Sequence, residues 1–208
     1  MRMVWIGGLV LLVLMGFALP LVAQEVDSDP DDELPAIVWD SYVPDVYRAG
    51  DKILTISAGV LFPTVFTGRG LEGNGSNINI GGMGSFVFSY FLTPRWFVGG
   101  ELAGMFASTG GRNMVFIIPI GPRVGYQFVL GRFEFPLALM VGAAPQKYLD
   151  KGYFGLIIKP SASGFFRFNP DWSFGLNTSW WLLPQWPENG KNVLGNFLEL
   201  TLSARYHF

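Results

Sequence analysis

The chain has 208 residues, of which 50% are hydrophobic and only 14% are charged, with a formal net charge of −2; soluble domains average about 25% charged residues. The absence of cysteine excludes disulfides, thiolate metal sites, cysteine catalysis and lipidation at a cysteine. The bases are scattered and mostly near turns, so no nucleic-acid-binding stripe is expected.

The first 23 residues predict a secretory signal peptide. Arg2 precedes a long apolar run, and the small residue Ala23 stands before polar Gln24, where cleavage is expected. About 20 apolar residues would also suit a membrane-anchor helix. Pro20 and the abrupt change to polar residues at Gln24 favour the signal peptide.

An acidic segment follows, over residues 24–50. Residues 25–51 contain nine acids and one base, whereas the part of the chain from Lys52 onward contains twelve bases and seven acids. This composition predicts a flexible segment. Its stretch IVWDSYVPDVY is apolar enough to dock against the mouth of the following domain, so a partial plug is the alternative.

Residues 51–208 alternate between apolar and polar or small positions with a period of two, which predicts β-strands with unlike faces. Eight strands are predicted, within KILTISAGVLF, NINIGGMGSFVFSYFL, WFVGGELAGMFA, NMVFIIPIGPRVGYQF, RFEFPLALMVG, YFGLIIKPSASGFFRF, WSFGLNTSWWL and about Asn192 to Phe208. LTPR, VLGR and NPD form tight turns between them. The other connections, around 63–76, 107–112, 143–152 and 183–191, are mostly longer. An up-and-down order places both chain ends on the short-turn side.

The two faces of these strands indicate a barrel with an apolar exterior. The polar face consists largely of Gly, Ser, Ala and Asn, which is too small and too weakly charged for a solvent surface. The apolar face is too bulky to fill the interior of an eight-stranded barrel. An all-β, transmembrane, antiparallel up-and-down barrel of eight strands satisfies both constraints, because closure pairs every backbone group within the hydrocarbon.

The final residues LSARYHF form an alternating strand that closes on an aromatic residue, and this resembles the C-terminal signature of outer-membrane barrels. With the signal peptide and eight strands, the region from about residue 50 to 208 resembles the small eight-stranded outer-membrane proteins, the OmpA-barrel, OmpX and OmpW class. The resemblance implies the outer membrane of a diderm bacterium, contact with its lipid, and a periplasmic position for residues 24–50. It also implies that the barrel-assembly machinery reads Tyr206 and Phe208.

Six charged residues are predicted by strand parity to point into the lumen: Glu101, Arg123, Glu134, Lys159, Glu199 and Arg205. Buried charges are costly when isolated, so these three acids and three bases should be paired. The favoured interpretation is an ionic plug that fills the barrel and specifies its register. The alternative is a gate or selectivity ring in a narrow pore.

Two further groups of residues are candidates for function. Trp180, Trp181 and Trp186 near the last loop would line an apolar entrance or, as the favoured interpretation, belong to the outer aromatic belt. Ser203, His207 and Glu199 share one strand face, as a lipid-modifying triad would require. Neighbours on that face are about 6.6–7 Å apart along the strand, so His207 is expected instead to bond water or Arg205.

The sequence therefore predicts an integral outer-membrane barrel without catalytic residues, metal or cofactor. The first functional hypothesis is a narrow conduit for small or partly apolar solutes, as in the OmpW class. The alternative is a plugged structural barrel that stabilises the envelope or binds host or small-molecule ligands through loops 63–76, 143–152 and 183–191.

Overall fold

The computed structural model describes residues 47–64, 67–68, 78–110, 113–148, 151–185 and 193–208. The predicted signal peptide, most of the acidic segment and Trp186 lie outside these ranges. In the part of the chain that is described, no helix is both long and apolar enough to cross a membrane.

The described residues form ten β-strands. In chain order they are β1 (Lys52–Pro63), β2 (Thr67–Gly68), β3 (Gly81–Phe91), β4 (Trp96–Ser108), β5 (Met114–Ile117), β6 (Ile120–Leu130), β7 (Phe133–Tyr148), β8 (Lys151–Arg167), β9 (Trp172–Gln185) and β10 (Val193–His207).

β5 and β6 are two halves of one barrel strand, interrupted at Ile118 and Pro119 because proline cannot donate to the ladder. Ala103 N still donates to Pro119 O at 2.8 Å, which holds the interruption against β4. The short β2 pairs with the start of β10.

The barrel closes because β1 pairs with both β3 and β10, and all neighbours are antiparallel. The seam between first and last strands runs in register from Ile53 opposite His207 to Pro63 opposite Phe197. At its end, Lys52 N donates to Phe208 O at 3.0 Å and Phe208 N donates to Lys52 O at 3.1 Å. The predicted eight-stranded antiparallel barrel is thus confirmed, with β2 as an extra short strand.

One end of the barrel, here called the turn side, carries the short connections between β3 and β4, between β6 and β7, and between β8 and β9. Gly131 adopts φ 58° in the second of these, a left-handed conformation that glycine adopts without steric cost. In the third, the Asn169 side chain accepts hydrogen bonds from the backbone of Asp171 and Trp172. The opposite end is called the loop side.

Two predicted loops contain more strand than the sequence suggested. Residues 143–148 belong to β7 and 151–152 to β8, so the predicted loop 143–152 shrinks to a connection at 149–150. Similarly, β9 continues through 183–185 of the predicted loop 183–191. Lys147 and Gly152, residue types that suggested a loop, are paired across this extended hairpin.

The exterior of the barrel is apolar, as expected of a surface that faces lipid. Side chains such as Leu202, 72% exposed, and Phe154, 71% exposed, have no place on a water-facing surface of this extent. Aromatic rings gather at the turn side, where Trp96 packs edge-on against Tyr126 with centroids 5.2 Å apart. Such a ring of aromatic side chains is typical of the boundary between lipid and water.

The barrel lumen as candidate functional site

The lumen contains all six charged residues that strand alternation predicted to point inward. Glu101, Glu134, Lys159, Glu199 and Arg205 are each at most 5% exposed, and the Arg123 side chain is 8% exposed. They are contributed by β4, β6, β7, β8 and β10, because each strand turns alternate side chains to the interior. The structure brings them together as two clusters at different heights.

The loop-side cluster consists of Glu101, Arg123, Lys159 and Glu199. Lys159 is at its centre, with Nζ in contact with Glu101 Oε1 and 2.6 Å from Glu199 Oε2. Arg123 Nη1 donates to Glu101 Oε2 at 3.4 Å, and its Nη2 donates to Ser161 Oγ at 3.1 Å. Two acids and two bases make this cluster electrically neutral.

Glu199 is the most fully hydrogen-bonded member of the loop-side cluster. Besides Lys159, its carboxylate accepts from Trp181 Nε1 at 2.6 Å, from Asn177 Nδ2 at 3.0 Å and from Ser179 Oγ. Both carboxylate oxygens therefore have donors, which is the condition for burying a charge without water. The Lys159 ammonium also lies 5.0 Å from the centroid of the Trp181 ring.

The turn-side cluster consists of Glu134, Arg167 and Arg205. Glu134 Oε1 is 3.5 Å from Arg167 Nε, and Glu134 Oε2 accepts from Arg205 Nη1 at 3.3 Å. Arg205 Nη1 also donates to Gln127 Oε1 at 3.3 Å, and its guanidinium lies 3.8 Å from the centroid of the Phe165 ring. The Glu134 carboxylate therefore contacts two guanidinium groups in this cluster.

Tyr47, the last residue of the stretch IVWDSYVPDVY, fills the turn-side end of the lumen and is 3% exposed. Its ring stacks on Phe91 with centroids 4.2 Å apart, and its hydroxyl donates to Glu134 Oε2 at 2.8 Å. Burial, followed by the nearby Glu134 carboxylate, holds the pKa of the Tyr47 phenol far above its usual value. Gly50 N donates to Phe91 O at 2.8 Å, which ties the segment leading into β1 to the barrel rim.

His207 lies beside this plug and is held by residues other than those expected. It does not bond Arg205: Nδ1 is 3.0 Å from Arg167 Nη2 and 3.2 Å from the Tyr47 hydroxyl, while Nε2 is 2.8 Å from Ser173 Oγ. Because guanidinium can only donate, Nδ1 must accept and Nε2 must carry the proton. The imidazole therefore donates to Ser173 and cannot serve as a base toward it.

The residues of the suspected triad are not assembled. Ser203 Oγ is hydrogen-bonded to Ser57 Oγ at 2.7 Å, and Glu199 is bound within the loop-side cluster. His207 contacts neither of them, as its described partners lie on β8, β9 and the segment before β1. Among the described residues, no three His, Asp or Glu side chains are grouped so that they could hold a metal ion.

Large apolar side chains occupy the ends of the lumen, which differs from the expectation that small or polar residues fill it. The loop-side layer contains Leu61, Met83, Met105, Ile117, Met140, Ile157, Trp181, Leu183 and Phe197. The turn-side layer contains Tyr47, Ile53, Phe91 and Phe97. Near the middle, a cavity of about 10 Å³ is lined by Arg123, Arg205 and several hydroxyl groups.

The three tryptophans predicted near the last loop do not act together in the described structure. Trp181 is fully buried in the loop-side layer, whereas Trp180 is 39% exposed on the outer face and donates to Asn196 Oδ1 at 3.3 Å. They are consecutive in β9 and therefore point to opposite faces. Trp186 lies outside the described residues.

Several lumen residues were missed as site candidates although parity could have found them. Arg167 shares its strand face with Lys159, and Gln127 shares its face with Arg123. Tyr47 precedes the first strand, so no periodic pattern marks its position. The sequence also indicates the apolar residues that point inward in the loop-side layer. In this part of several strands, consecutive residues are apolar, so that both faces of the strand are apolar.

The barrel is closed, its exterior is apolar with aromatic residues at the rim, and its interior contains paired charges. These features define an integral outer-membrane β-barrel protein. The predicted location in the outer membrane is confirmed. A family model for an uncharacterised protein family matches residues 28–206, and the chain belongs to that family. An uncharacterised protein of Treponema pallidum (strain Nichols) is 34% identical over 169 residues, covering 76% of this chain and 75% of the relative.

Solved structures share the same fold at low sequence identity. The outer membrane protein OprG from Pseudomonas aeruginosa aligns with a TM-score of 0.54 and 12% identity, over 78% of this chain and 97% of that one. Neisserial surface protein A aligns with a TM-score of 0.56 and 10% identity, over 76% of this chain and 97% of that one. The resemblance to small eight-stranded outer-membrane barrels is thereby confirmed at the level of fold.

Proposed function

We propose that this protein is a closed barrel, a non-enzymatic scaffold in the outer membrane rather than an open channel. The observation that carries this proposal is the packing of the lumen by the side chains that the structure describes. Two charge clusters lie between two apolar layers, and the cavity between the clusters measures only about 10 Å³. A solute crossing the barrel would have to separate buried ion pairs such as Lys159–Glu199, which is costly without water.

A closed barrel acts through its surfaces. Its apolar exterior contacts outer-membrane lipid. What remains of the predicted loops 63–76, 143–152 and 183–191 at the loop side provides the proposed contact sites for host or small-molecule ligands. Tyr206 and Phe208 on the last strand are the proposed contacts for the barrel-assembly machinery. Both rings lie on the outer face, where they are stacked with centroids 5.8 Å apart.

A narrow conduit for small or partly apolar solutes is the second candidate, and the loop-side apolar layer favours it, because such solutes would meet residues such as Met105 and Ile157 there. Recordings of refolded protein in planar bilayers separate the two functions. A closed scaffold gives no regular conductance steps and no accelerated uptake of apolar solutes into liposomes. Stable steps or protein-dependent uptake from correctly folded protein would contradict the closed scaffold.

The absence of enzymatic activity is tested by acyl release from phospholipid vesicles. Purified protein and the His207→Ala variant should both give the background rate, since His207 donates to Ser173 rather than accepting its proton. Acyl release by the unaltered chain that disappears in His207→Ala would contradict a purely structural role for this residue.

A further inference from the structure

The outer face of the barrel has an apolar groove near the turn side, next to the seam between β1 and β10. Its lining consists of Leu54, Ile56, Trp172, Ala204 and Tyr206, and these side chains present only apolar atoms to it. Ala204 has the smallest side chain of the five and lies opposite Ile56 of β1, so it forms the floor of the groove. The volume of about 200 Å³ accommodates a stretch of several methylene groups.

Aromatic rings form the rim of this groove on the turn side. Trp172 and Tyr206 lie opposite each other in β9 and β10, with ring centroids 5.1 Å apart. Tyr206 in turn stacks on Phe208 with centroids 5.8 Å apart. Because the three rings pack against one another, the rim has a defined shape, and a molecule that enters the groove does not have to order it first.

A lysine lies beyond the turn-side end of the groove. Lys52 is exposed and precedes Leu54 by two residues, so both side chains are on the same face of β1. The Lys52 Nζ is 6.0 Å from the centroid of the Phe208 ring. None of the ion pairs among the described residues includes Lys52. The adjacent carboxylate, that of Asp51, accepts a hydrogen bond from Arg48 N at 2.7 Å.

An apolar groove that ends beside a cation matches the two parts of a phospholipid. The short turns of outer-membrane barrels face the periplasm, so the turn side of this barrel meets the periplasmic leaflet. The phosphate of a lipid lies at the boundary between hydrocarbon and water, where a lysine extends its ammonium group from an apolar surface. Tyr90 of β3 lies opposite Lys52 and is 38% exposed, so its hydroxyl is a second donor at this height.

We propose that the groove binds one phospholipid of the periplasmic leaflet. One acyl chain lies over Ala204, between Ile56 and Trp172, and the phosphate accepts hydrogen bonds from the Lys52 ammonium and the Tyr90 hydroxyl. The bound lipid covers the seam where the barrel closes and thereby stabilises the closed form. The site rests on the lipid-facing exterior of the proposed scaffold and is independent of whether the lumen conducts.

The test is native mass spectrometry of the full chain, refolded in a nonionic detergent and mixed with phosphatidylglycerol or with a diacylglycerol that has the same acyl chains. The expected result is a complex of one barrel with one phosphatidylglycerol, which persists at collision energies that strip the detergent. The diacylglycerol should be retained much less, because it lacks the phosphate. Equal retention of the two lipids would overturn the proposed role of Lys52 and Tyr90.

Two variants test the two parts of the site separately. Ala204→Phe fills the groove while leaving the surface apolar, and it should abolish the complex. Ala162→Phe is the matched control, because Ala162 of β8 is another half-exposed alanine on the outer face and does not line the groove. Lys52→Gln should weaken retention by about fivefold, the contribution of one lysine near anionic lipid. Arg95→Gln, which removes another exposed turn-side cation, should leave retention unchanged.

The heat-dependent gel shift confirms that each variant is folded before its spectrum is compared. Equal lipid retention by Ala204→Phe and Ala162→Phe, both folded, would contradict the groove as the binding site. A dimer that disappears in Ala204→Phe, without bound lipid in the unaltered protein, would assign the groove to a second copy of the chain. Neither result affects the closed scaffold, which is tested by conductance.

Discussion

Lys159 of β8 and Glu199 of β10 are joined by an ion pair of 2.6 Å that passes over the intervening strand β9. Lys159 also contacts Glu101 of β4, on another part of the barrel wall. One ammonium group thus links three strands, none of which is paired with another. Because the side chain is 2% exposed, solvent cannot replace these contacts.

The first prediction is that Lys159→Met destabilises the barrel strongly, by about 3–5 kcal/mol, since it leaves two buried carboxylates without their shared cation. The free energy of unfolding is measured by urea titration in lipid vesicles, with tryptophan fluorescence as the signal. Lys147→Met, which removes an exposed lysine of β7, is the matched control and should change stability little.

Removing Lys159 together with one of its two acids should cost less than removing Lys159 alone. The double variant Lys159→Met, Glu199→Gln keeps the Arg123–Glu101 ion pair, leaves no uncompensated charge in the cluster and should recover part of the lost stability. A single Lys159→Met variant as stable as the unaltered protein would show that the ion pairs contribute nothing to the barrel.

The second prediction concerns conductance. Glu101→Ala or Arg123→Ala should lower the melting temperature of the folded barrel without creating a large conductance in planar bilayers. The ion pair between Lys159 and Glu199 and the loop-side apolar layer remain in place in both variants. A large, stable channel in either variant, with unchanged melting temperature, would instead indicate that these residues gate a pore.

The third prediction concerns the pH dependence contributed by Tyr47. Its pKa is raised in the folded state, first by burial and then by Glu134, so its contribution is fully present below the unfolded pKa of about 10. Above that pH the unfolded chain loses the Tyr47 proton while the folded barrel retains it. Folding stability therefore falls by about 1.4 kcal/mol per pH unit through this one group.

The Tyr47→Phe variant isolates this effect. Near pH 7 it should be less stable by about 1.5–3 kcal/mol, the value of a hydrogen bond to a charged group, because the bond to Glu134 is lost. As pH rises from 10 to 11.5 the gap between the two proteins should narrow, which urea titrations across this range measure. Tyr90→Phe, on the outer face, controls for the loss of a hydroxyl at neutral pH. A constant gap would contradict a buried, protonated Tyr47.

Strand parity was sufficient to identify which residues face the lumen, but not how they meet there. The alternation placed Glu101, Lys159 and Glu199 inside because a strand's faces follow directly from residue number. Their contact depends on barrel closure and on the stagger of the strands, which bring β4, β8 and β10 to one height. The spacing of residues along the sequence does not by itself indicate how the strands are staggered.

The turn-side plug was harder to predict for a different reason. Tyr47 belongs to an acidic, proline-containing segment whose composition suggests flexibility. Its docking depends on contacts with residues distant in the sequence, including Phe91 and Glu134. The length of β7 and β8 was also underestimated, because residues such as Lys147 and Gly152 resemble loop residues. In a closed barrel, backbone pairing can extend a hairpin that side-chain pattern alone would end.

The last prediction concerns assembly. Phe208→Ala should reduce the amount of barrel inserted into the outer membrane of cells, yet leave refolding in detergent and the heat-dependent gel shift nearly unchanged. The backbone hydrogen bonds between Phe208 and Lys52 at the seam do not require the ring. The ring itself lies 57% exposed on the outer face, where a recognition partner can reach it.

Phe168→Ala is the matched control for this assembly role, because Phe168 is another outward aromatic on the turn side, 65% exposed and packed near Phe174. Membrane fractions are compared by immunoblot after extraction with urea, which removes protein that has not inserted. If the terminal ring is the recognised feature, Phe208→Ala lowers insertion and Phe168→Ala does not. Equal losses in both variants would assign the effect to the aromatic girdle in general, since each removes one interfacial ring of similar exposure.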